Sequence, residues 1–378
     1  MIFLNKESNP YIYYSDLILI AKVQNKNNNG MNLKKQMGQF PNEKRKTYFN
    51  TLPNYTNGKF QNILPTPALL EGESMTKLLL QTLCKIENVT PKSPIPFVTT
   101  DLKNLKPENN VLVWFGHSSY FIQVDGKKFL VDPVFSGNAS PMPGSIKAFS
   151  GSDHYKPEDM PEIDVLLISH DHWDHLDYST VQALKDKVGQ VICGLGTGQH
   201  FEYWGWEAEK IIEKNWWESI DLADGFSIIL TPARHFSGRL LNRNISLWTS
   251  FVLQTPSKKL FLGGDSGYGN HFTEIGEKFG PFDLAIMECG QYNEKWPYIH
   301  SLPEQIIQEV QELKAQNFIP VHNSKFKLAQ HPWFEPLELV SKYAEENSIP
   351  VTHPMIGEKV NLDQLGEVTW KKWWQDLM

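Results

Sequence analysis

The sequence predicts an α+β fold of the αββα type, in which two mixed β-sheets pack face to face and helices lie on the outer faces. Its short apolar runs begin as consecutive hairpins and then alternate with helical segments, which is the order expected of such a layered domain. The chain has 378 residues, of which 40% are hydrophobic and 12% aromatic. A chain of this size and composition can fill the core that two packed sheets require.

The beginning of the chain differs in composition from the rest. Residues 1–30 are rich in Asn, Lys and Tyr and end in the polar run NKNNNG. We therefore predict a poorly ordered extension over residues 1–49, with Met31 as an alternative start, followed by one folded domain over residues 50–378. Leucines at helical spacing in residues 68–87 predict an amphipathic helix that packs on the core.

Short β-rich runs supply the strands, and the sequence Asp125-Gly126 between two of the first is a strong hairpin turn signal. Strands are predicted at residues 111–115, 120–124, 128–131, 163–168, 191–193, 227–230, 251–253, 260–262, 284–287 and 318–321. Helices are predicted between several of them, at residues 180–187, 303–314 and 336–346.

Composition excludes several classes of protein. The net charge is −7 and the basic residues are scattered, so nucleic acid is not an expected partner. The three cysteines, Cys84, Cys193 and Cys289, are far apart, which predicts neither a disulfide framework nor a thiolate metal site. The early apolar stretch at residues 17–23 is too short to span a bilayer, which needs about 20 residues. These features together predict a cytoplasmic protein.

A cluster of metal-binding residue types follows the strand predicted at residues 163–168. Residues 169–177 have the sequence SHDHWDHLD. Histidine nitrogens and carboxylate oxygens are both zinc ligands, so the His-x-His part of this loop can bind one ion and the Asp-His part another. The alternative is a polar surface loop that happens to be rich in histidine.

Further residues of the same types follow later predicted strands. His235, Asp265 and His322 each come shortly after an apolar run. Taken singly, each of them is more often a structural residue. A layered fold, however, presents strand ends at one edge, so their joint occurrence predicts a metal site there.

With these residues in place, the sequence resembles the metallo-β-lactamase superfamily. Within it, the sequence is most similar to the N-acylphosphatidylethanolamine-hydrolysing phospholipase D group and its bacterial relatives. The resemblance rests on residues 169–177 and His322, and on six further segments: NYTNGKFQN at 54–62, WFGHSSY at 114–120, FLVDPVFS at 129–136, WWE at 216–218, TPARH at 231–235 and GDSGY at 264–268. The resemblance implies the metallo-β-lactamase fold for residues 50–378.

The resemblance also implies a role for each candidate ligand. One zinc ion would be held by His170, His172 and His235, and a second by Asp174, His175 and His322. Asp265 would bridge the two ions. Two such ions can share a hydroxide and aim it at a phosphorus or carbonyl atom. Iron and manganese also suit this set of nitrogen and oxygen donors.

Other residues of the sequence carry weaker expectations. By the resemblance, His300 binds substrate or transfers a proton to the leaving group; the alternative is a solvent-exposed histidine at a helix start. His117 is expected to orient a metal ligand, and Asp132 to be a structural turn residue. Asp171 and Trp173 are expected to face outward or to pack. His331 is expected to be structural.

The function implied is that of a zinc-dependent phosphodiesterase of phospholipase D type, acting on N-acylphosphatidylethanolamine-like lipids, with Asp174, Asp265 and His300 as catalytic residues. The partner would be a phospholipid or another phosphodiester, which leaves open a peripheral contact with a membrane; the oligomeric state is left open. One alternative is a dimetal lactonase or phosphodiesterase acting on a small soluble phosphorylated substrate. Another is a metal-binding scaffold without catalytic activity.

Overall fold

The predicted αββα sandwich is confirmed by a computed structural model, which describes residues 30–67, 69–70, 73, 86–142, 144–239 and 242–378. A seven-stranded sheet faces a six-stranded sheet, and two short two-stranded ribbons accompany them. Apolar side chains of helices pack on the outer face of each large sheet.

The strands are β1 (Tyr55–Thr56), β2 (Lys59–Phe60), β3 (Val111–Trp114), β4 (Tyr120–Val124), β5 (Lys127–Val131), β6 (Ile163–Ile168), β7 (Val188–Gly194), β8 (Ile211–Lys214), β9 (Ser219–Asp221), β10 (Ser227–Thr231), β11 (Gly238–Arg239), β12 (Asn242–Arg243), β13 (Ser250–Gln254), β14 (Lys259–Leu262), β15 (Leu284–Glu288), β16 (Phe318–Val321) and β17 (Lys359–Asn361). The α-helices are α1 (Gly30–Gln36), α2 (Glu43–Phe49), α3 (Tyr178–Leu184), α4 (Gly198–Tyr203), α5 (His271–Phe279), α6 (Pro303–Glu312) and α7 (Glu335–Glu346). Short 3₁₀ helices lie at Leu102–Asn104, Pro157–Asp159, Lys185–Lys187, Ala208–Lys210 and Trp373–Leu377.

The two large sheets are both mixed. The seven-stranded sheet has the order β17-β3-β4-β5-β6-β7-β8, and the six-stranded sheet the order β16-β15-β14-β13-β10-β9. In the first, β5 to β8 pair in parallel, and in the second, β14 to β16 do so. The predicted hairpin between β4 and β5 is confirmed, since Asp125 and Gly126 both have positive φ angles, 48° and 82°, as a type I′ turn requires.

Side-chain alternation along the strands builds three apolar layers. Leu167 of β6 points into the layer between the sheets, whereas its neighbours Leu166 and Ile168 point outward to the layer under α3 and α4. The same alternation in β15 sends Ile286 inward and Met287 outward, toward α5, α6 and α7. Successive side chains of a strand face opposite ways. A strand that is buried on both faces therefore has a continuous run of apolar residues in the sequence.

Several strands of both sheets end at one edge of the sandwich. In the first sheet these are β3, β5 and β6, and in the second β10, β14, β15 and β16. Polar residues at or shortly after these ends include His117, Asp132, His170, His235, Asp265, Glu288 and His322. The topology therefore collects polar side chains from distant parts of the chain.

Residues 30–49 were predicted to be poorly ordered, and in the structure they contain α1 and α2. Phe49 is 1% exposed, and Arg45 forms ion pairs with Glu202 and Glu213. These contacts attach α2 to the domain, whereas residues 1–29 lie outside the described part of the chain. The division at residue 50 stays a prediction.

Most of the helix predicted at residues 68–87 falls outside the described residues. Among the helices that the structure does describe, none combines the length and the apolar character needed to cross a membrane.

Candidate metal centre

Three buried histidines form the first group of the site. Nε2 of His170 lies 2.8 Å from Nδ1 of His172, and Nε2 of His235 lies 3.3 Å from the same Nδ1 atom. His170 and His172 come from the loop between β6 and α3, and His235 follows β10. Ring nitrogens of all three therefore lie within 4.8 Å of one another.

A second group lies beside the first. Ligand atoms of His117, Asp174, His175 and His322 all lie within 4.8 Å of one another. Asp174 and His175 lie on the same loop as His170 and His172, and His322 follows β16. Residues of the histidine-rich loop therefore take part in both groups.

Asp265 lies between the two groups. Its Oδ2 atom is 3.7 Å from Nε2 of His235 and 3.9 Å from Nε2 of His170, both in the first group. The same Oδ2 atom is 3.1 Å from Nε2 of His175, and Oδ1 is 3.1 Å from Nδ1 of His322. A single carboxylate therefore reaches both groups, which is the geometry that a bridging ligand needs.

The ionisation of the histidines suits metal binding. Burial lowers the pKa of His170, His235 and His322 well below the ordinary value, and lowers that of His172 to about 3. A neutral imidazole keeps a lone pair on one ring nitrogen, and this is the form that binds a metal ion. Nε2 of His322 is buried and has no hydrogen-bond partner among the described residues. A cation would satisfy such an atom, so the donor set fits a metal centre.

His175 behaves differently because of its neighbours. Burial disfavours its charged form, yet three carboxylates raise its pKa well above the ordinary value, those of Asp265, Asp174 and Asp132. The negative charge of these carboxylates would also favour a metal cation bound next to the ring.

Hydrogen bonds behind the site orient the candidate ligands. Nδ1 of His235 donates to the carbonyl oxygen of Ile299 at 2.7 Å, which leaves the lone pair on Nε2, facing the site. Oγ of Ser118 is hydrogen-bonded at 2.9 Å to Nδ1 of His322, the same atom that lies 3.1 Å from Oδ1 of Asp265. Nε2 of His117 lies 2.8 Å from Oδ2 of Asp174, in accordance with the predicted orienting role. Such contacts fix ring orientation and tautomer.

Asp132 does more than form a turn. Its carboxylate accepts hydrogen bonds from the backbone N–H and the hydroxyl of Ser169 at 2.8 and 2.5 Å. It also lies 2.8 Å from Nδ1 of His175. Its φ angle is 42°, in the left-handed region, as are those of His117 and His322 at 53° and 64°. Residues with this uncommon backbone conformation cluster at functional sites.

The two residues between the candidate ligands both pack, and the outward-facing alternative is wrong for Asp171. Asp171 is fully buried and accepts hydrogen bonds from the backbone N–H of Gly238 at 2.6 Å and from the Ser246 hydroxyl at 2.7 Å. Trp173 lies under the guanidinium group of Arg239, which is 4.1 Å from the ring centroid. Both contacts hold the loop against the β11–β12 ribbon.

His300 is buried beside the site, so the alternative of a solvent-exposed histidine is wrong. It is 2% exposed, and its ring centroid lies 5.0 Å from that of His235 and 5.2 Å from that of His322. It therefore lies next to one candidate ligand of each group. Burial lowers its pKa.

Glu288 is a site residue that the sequence analysis missed. It is 3% exposed, and its Oε2 atom lies 2.7 Å from Nδ1 of His300. Burial and the nearby Asp265 raise its pKa well above the ordinary value. The available signal was an acidic residue directly after the apolar run at residues 284–287, which was predicted to end one residue too early.

His331 has contacts that fit the predicted structural role. Its Nε2 atom accepts from the backbone N–H of Gln291 at 2.9 Å, and its Nδ1 atom donates to the carbonyl oxygen of Pro332 at 2.8 Å. It links two loops near the site.

The fold and the convergence of imidazole and carboxylate groups are those of a metal-dependent hydrolase, which is the class of this enzyme. The chain belongs to the beta-lactamase superfamily, because residues 127–323 match the sequence profile of the "Beta-lactamase superfamily domain". Among its relatives is an uncharacterized protein of Mycobacterium tuberculosis, 35% identical over 85% of this chain and 87% of that protein.

Two further similarities are to a curated protein and to a solved structure. The N-acyl-phosphatidylethanolamine-hydrolyzing phospholipase D 1 of Caenorhabditis elegans is 31% identical, covering 55% of this chain and 62% of that protein. Among solved structures, Igni18, a metallo hydrolase from Ignicoccus hospitalis, has a TM-score of 0.53 and 22% identity, covering 67% of this chain and 97% of that chain. The second likeness supports the fold alone.

Proposed function

We propose that the protein is a dinuclear zinc phosphodiesterase of phospholipase D type that cleaves N-acylphosphatidylethanolamine-like lipids. The observation that carries the dinuclear site is the position of Asp265, within 4 Å of candidate ligands in both histidine groups. The similarity to the phospholipase of Caenorhabditis elegans supports the choice of substrate. We place the enzyme in the cytoplasm, in contact with lipid at a membrane surface.

The proposed ligand sets follow the two groups. One ion would be held by His170, His172 and His235, the other by Asp174, His175 and His322, with Asp265 shared. Two divalent ions held in this way make water more acidic and offset negative charge on the substrate. Nitrogen and oxygen donors of this kind also suit iron and manganese, so zinc is the part of the proposal that elemental analysis must test.

The leaving alcohol needs a proton, which a side chain of the protein can supply. Hydrolysis forms a phosphorus–oxygen bond to water and breaks the one to the amide-bearing alcohol, whose oxygen must gain a proton. We assign that proton to Nε2 of His300, because its ring lies beside a candidate ligand of each ion. The proton released by the attacking water then restores His300. Asp174 would help to hold the second ion, and Asp265 would be shared by both.

The test combines metal analysis with a substrate panel. Purified protein should contain two zinc ions per chain and release phosphatidic acid from N-palmitoyl phosphatidylethanolamine in mixed micelles. Asp265→Asn should lose this activity, whereas the exposed residue Asp186 can be changed to Asn as a control. The lipid assignment fails if the zinc-loaded protein leaves N-acyl phospholipids intact while it hydrolyses a sugar-phosphate lactone or a small soluble phosphodiester.

A further inference from the structure

We propose that Glu288 is a positioning residue that holds His300 by Nδ1 and thereby makes Nε2 the nitrogen that serves the leaving group. The inference rests on the proposed function, because it assumes that His300 protonates the departing alcohol. It concerns a residue that neither the metal-ligand pattern nor the similarity to other proteins assigns.

The geometry leaves Glu288 little freedom. It is the last residue of β15, a strand paired in parallel on both sides, and its register partner in β16 is Val321. One carboxyl oxygen, Oε2, lies 2.7 Å from Nδ1 of His300, and the other, Oε1, accepts the backbone N–H of Ser301 at 2.7 Å. Two consecutive residues of one loop are therefore bound to a single carboxyl group.

The same contacts argue against Glu288 as a further metal ligand. Ligand atoms of Glu288 and His300 lie within 4.8 Å of those of Asp265 and His322, so distance alone would allow it. Both carboxyl oxygens, however, are already directed at Nδ1 of His300 and the N–H of Ser301. A carboxyl group held in this way orients its histidine, as the outer carboxylate does in other catalytic pairs.

The chemistry requires a carboxyl group rather than an amide. With Glu288 as its partner, His300 can give the Nε2 proton to the leaving oxygen and keep a proton on Nδ1, shared with the carboxylate. In Glu288→Gln, the amide oxygen must stay opposite the N–H of Ser301, so the NH₂ group faces Nδ1. Since NH₂ only donates, Nδ1 must accept, and loss of the Nε2 proton would leave an unstable imidazolate anion.

A neighbouring glutamate provides a matched control. Glu309 is also fully buried, and burial raises its pKa well above the ordinary value. It is hydrogen-bonded to the hydroxyl of Ser301 rather than to His300. Glu309→Gln thus makes the same chemical change in the same buried region without touching the proposed proton donor.

The experiment compares two substrates with the same phosphatidyl part, N-palmitoyl phosphatidylethanolamine and phosphatidyl-4-nitrophenol. 4-Nitrophenolate is a weak base and leaves without protonation, whereas the alkoxide of the natural alcohol does not. We expect Glu288→Gln to lower kcat about 100-fold on the lipid, in the range of general acid catalysis, with KM within about twofold. On the nitrophenyl ester we expect a loss below about threefold, and Glu309→Gln should match the wild type on both.

Two further readouts keep the outcomes distinct. Metal content and the visible spectrum of the cobalt-substituted protein should be unchanged in Glu288→Gln, and Glu288→Gln/His300→Gln should be no slower than His300→Gln alone. Equal losses on both substrates, or a loss of metal or a changed cobalt spectrum, would overturn the inference and make Glu288 a structural residue or a ligand. If the wild type cleaves neither substrate, it is the proposed function that fails.

Discussion

Asp132 lies 2.8 Å from Nδ1 of His175, and the opposite nitrogen of the same ring, Nε2, lies 3.1 Å from Oδ2 of Asp265. The ring of His175 is thus held between a carboxylate behind the site and the carboxylate at its centre. Asp132 is itself fixed by two hydrogen bonds from Ser169. This arrangement joins the end of β5 to the metal loop that follows β6.

Asp132→Asn should weaken metal binding without removing a ligand. The amide would present NH₂ to Nδ1 of His175 and favour the wrong tautomer, so we expect the affinity for the ion that Asp174, His175 and His322 would hold to fall about 10- to 100-fold. Competition with a chelator measures this directly. Asp186→Asn, on the exposed surface, is the control, and equal affinities in the two variants would contradict the orienting role of Asp132.

Removal of the metal should destabilise the folded protein. Because the ions would bind the folded state alone, a free metal concentration about 1,000 times the Kd should add about 4 kcal/mol to the free energy of unfolding. Thermal unfolding with and without chelator checks this, with added zinc restoring the higher Tm. Asp265→Asn should show a much smaller metal-dependent shift. An unchanged wild-type Tm after complete metal removal would argue against a metal site that only the folded state forms.

Local patterns in the sequence predicted the parts of the site that follow apolar strands. His170, His235, Asp265 and His322 each come shortly after such a run, and the structure brings all four together. The fold could be predicted for the same reason, since strands that are buried on both faces are continuous apolar runs.

Residues whose surroundings come from distant segments could not be predicted in this way. The partners of Asp171 include Gly238 and Ser246, on a separate part of the chain, and nothing near Asp171 in sequence indicates its burial. Glu288 was missed because its partner His300 lies beyond an irregular loop. Sequence periodicity reports which face of an element is apolar and carries little information on which polar groups pair across the fold.

Lys325 should make stability depend on pH in the alkaline range. It is 1% exposed, and burial lowers its pKa to about 8 from the ordinary 10.5. Between these values the unfolded chain binds more protons than the folded one, so the free energy of unfolding should rise with pH, by about 3 kcal/mol in all. Denaturant unfolding from pH 7 to 10.5 should show this rise in the wild type relative to Lys325→Met. Parallel pH profiles for the two proteins would refute it.

Arg45 should stabilise the domain although it precedes residue 50. Its guanidinium donates to Glu213 at 2.9 Å and to Glu202 at 2.7 Å, and its side chain is only 19% exposed. Arg45→Ala would leave Glu213 without its cation, so we expect a loss of about 2 kcal/mol in the free energy of unfolding. Lys44→Ala, at the exposed neighbouring position, should have almost no effect. Equal stability of both variants would show that α2 is not part of the folded unit.

The central claim is that two metal ions lie on either side of Asp265. Anomalous diffraction from crystals of the zinc-loaded protein tests this most directly. The expected result is two peaks, one among His170, His172 and His235 and the other among Asp174, His175 and His322, both in contact with Asp265. A single peak, or peaks away from Asp265, would contradict the account.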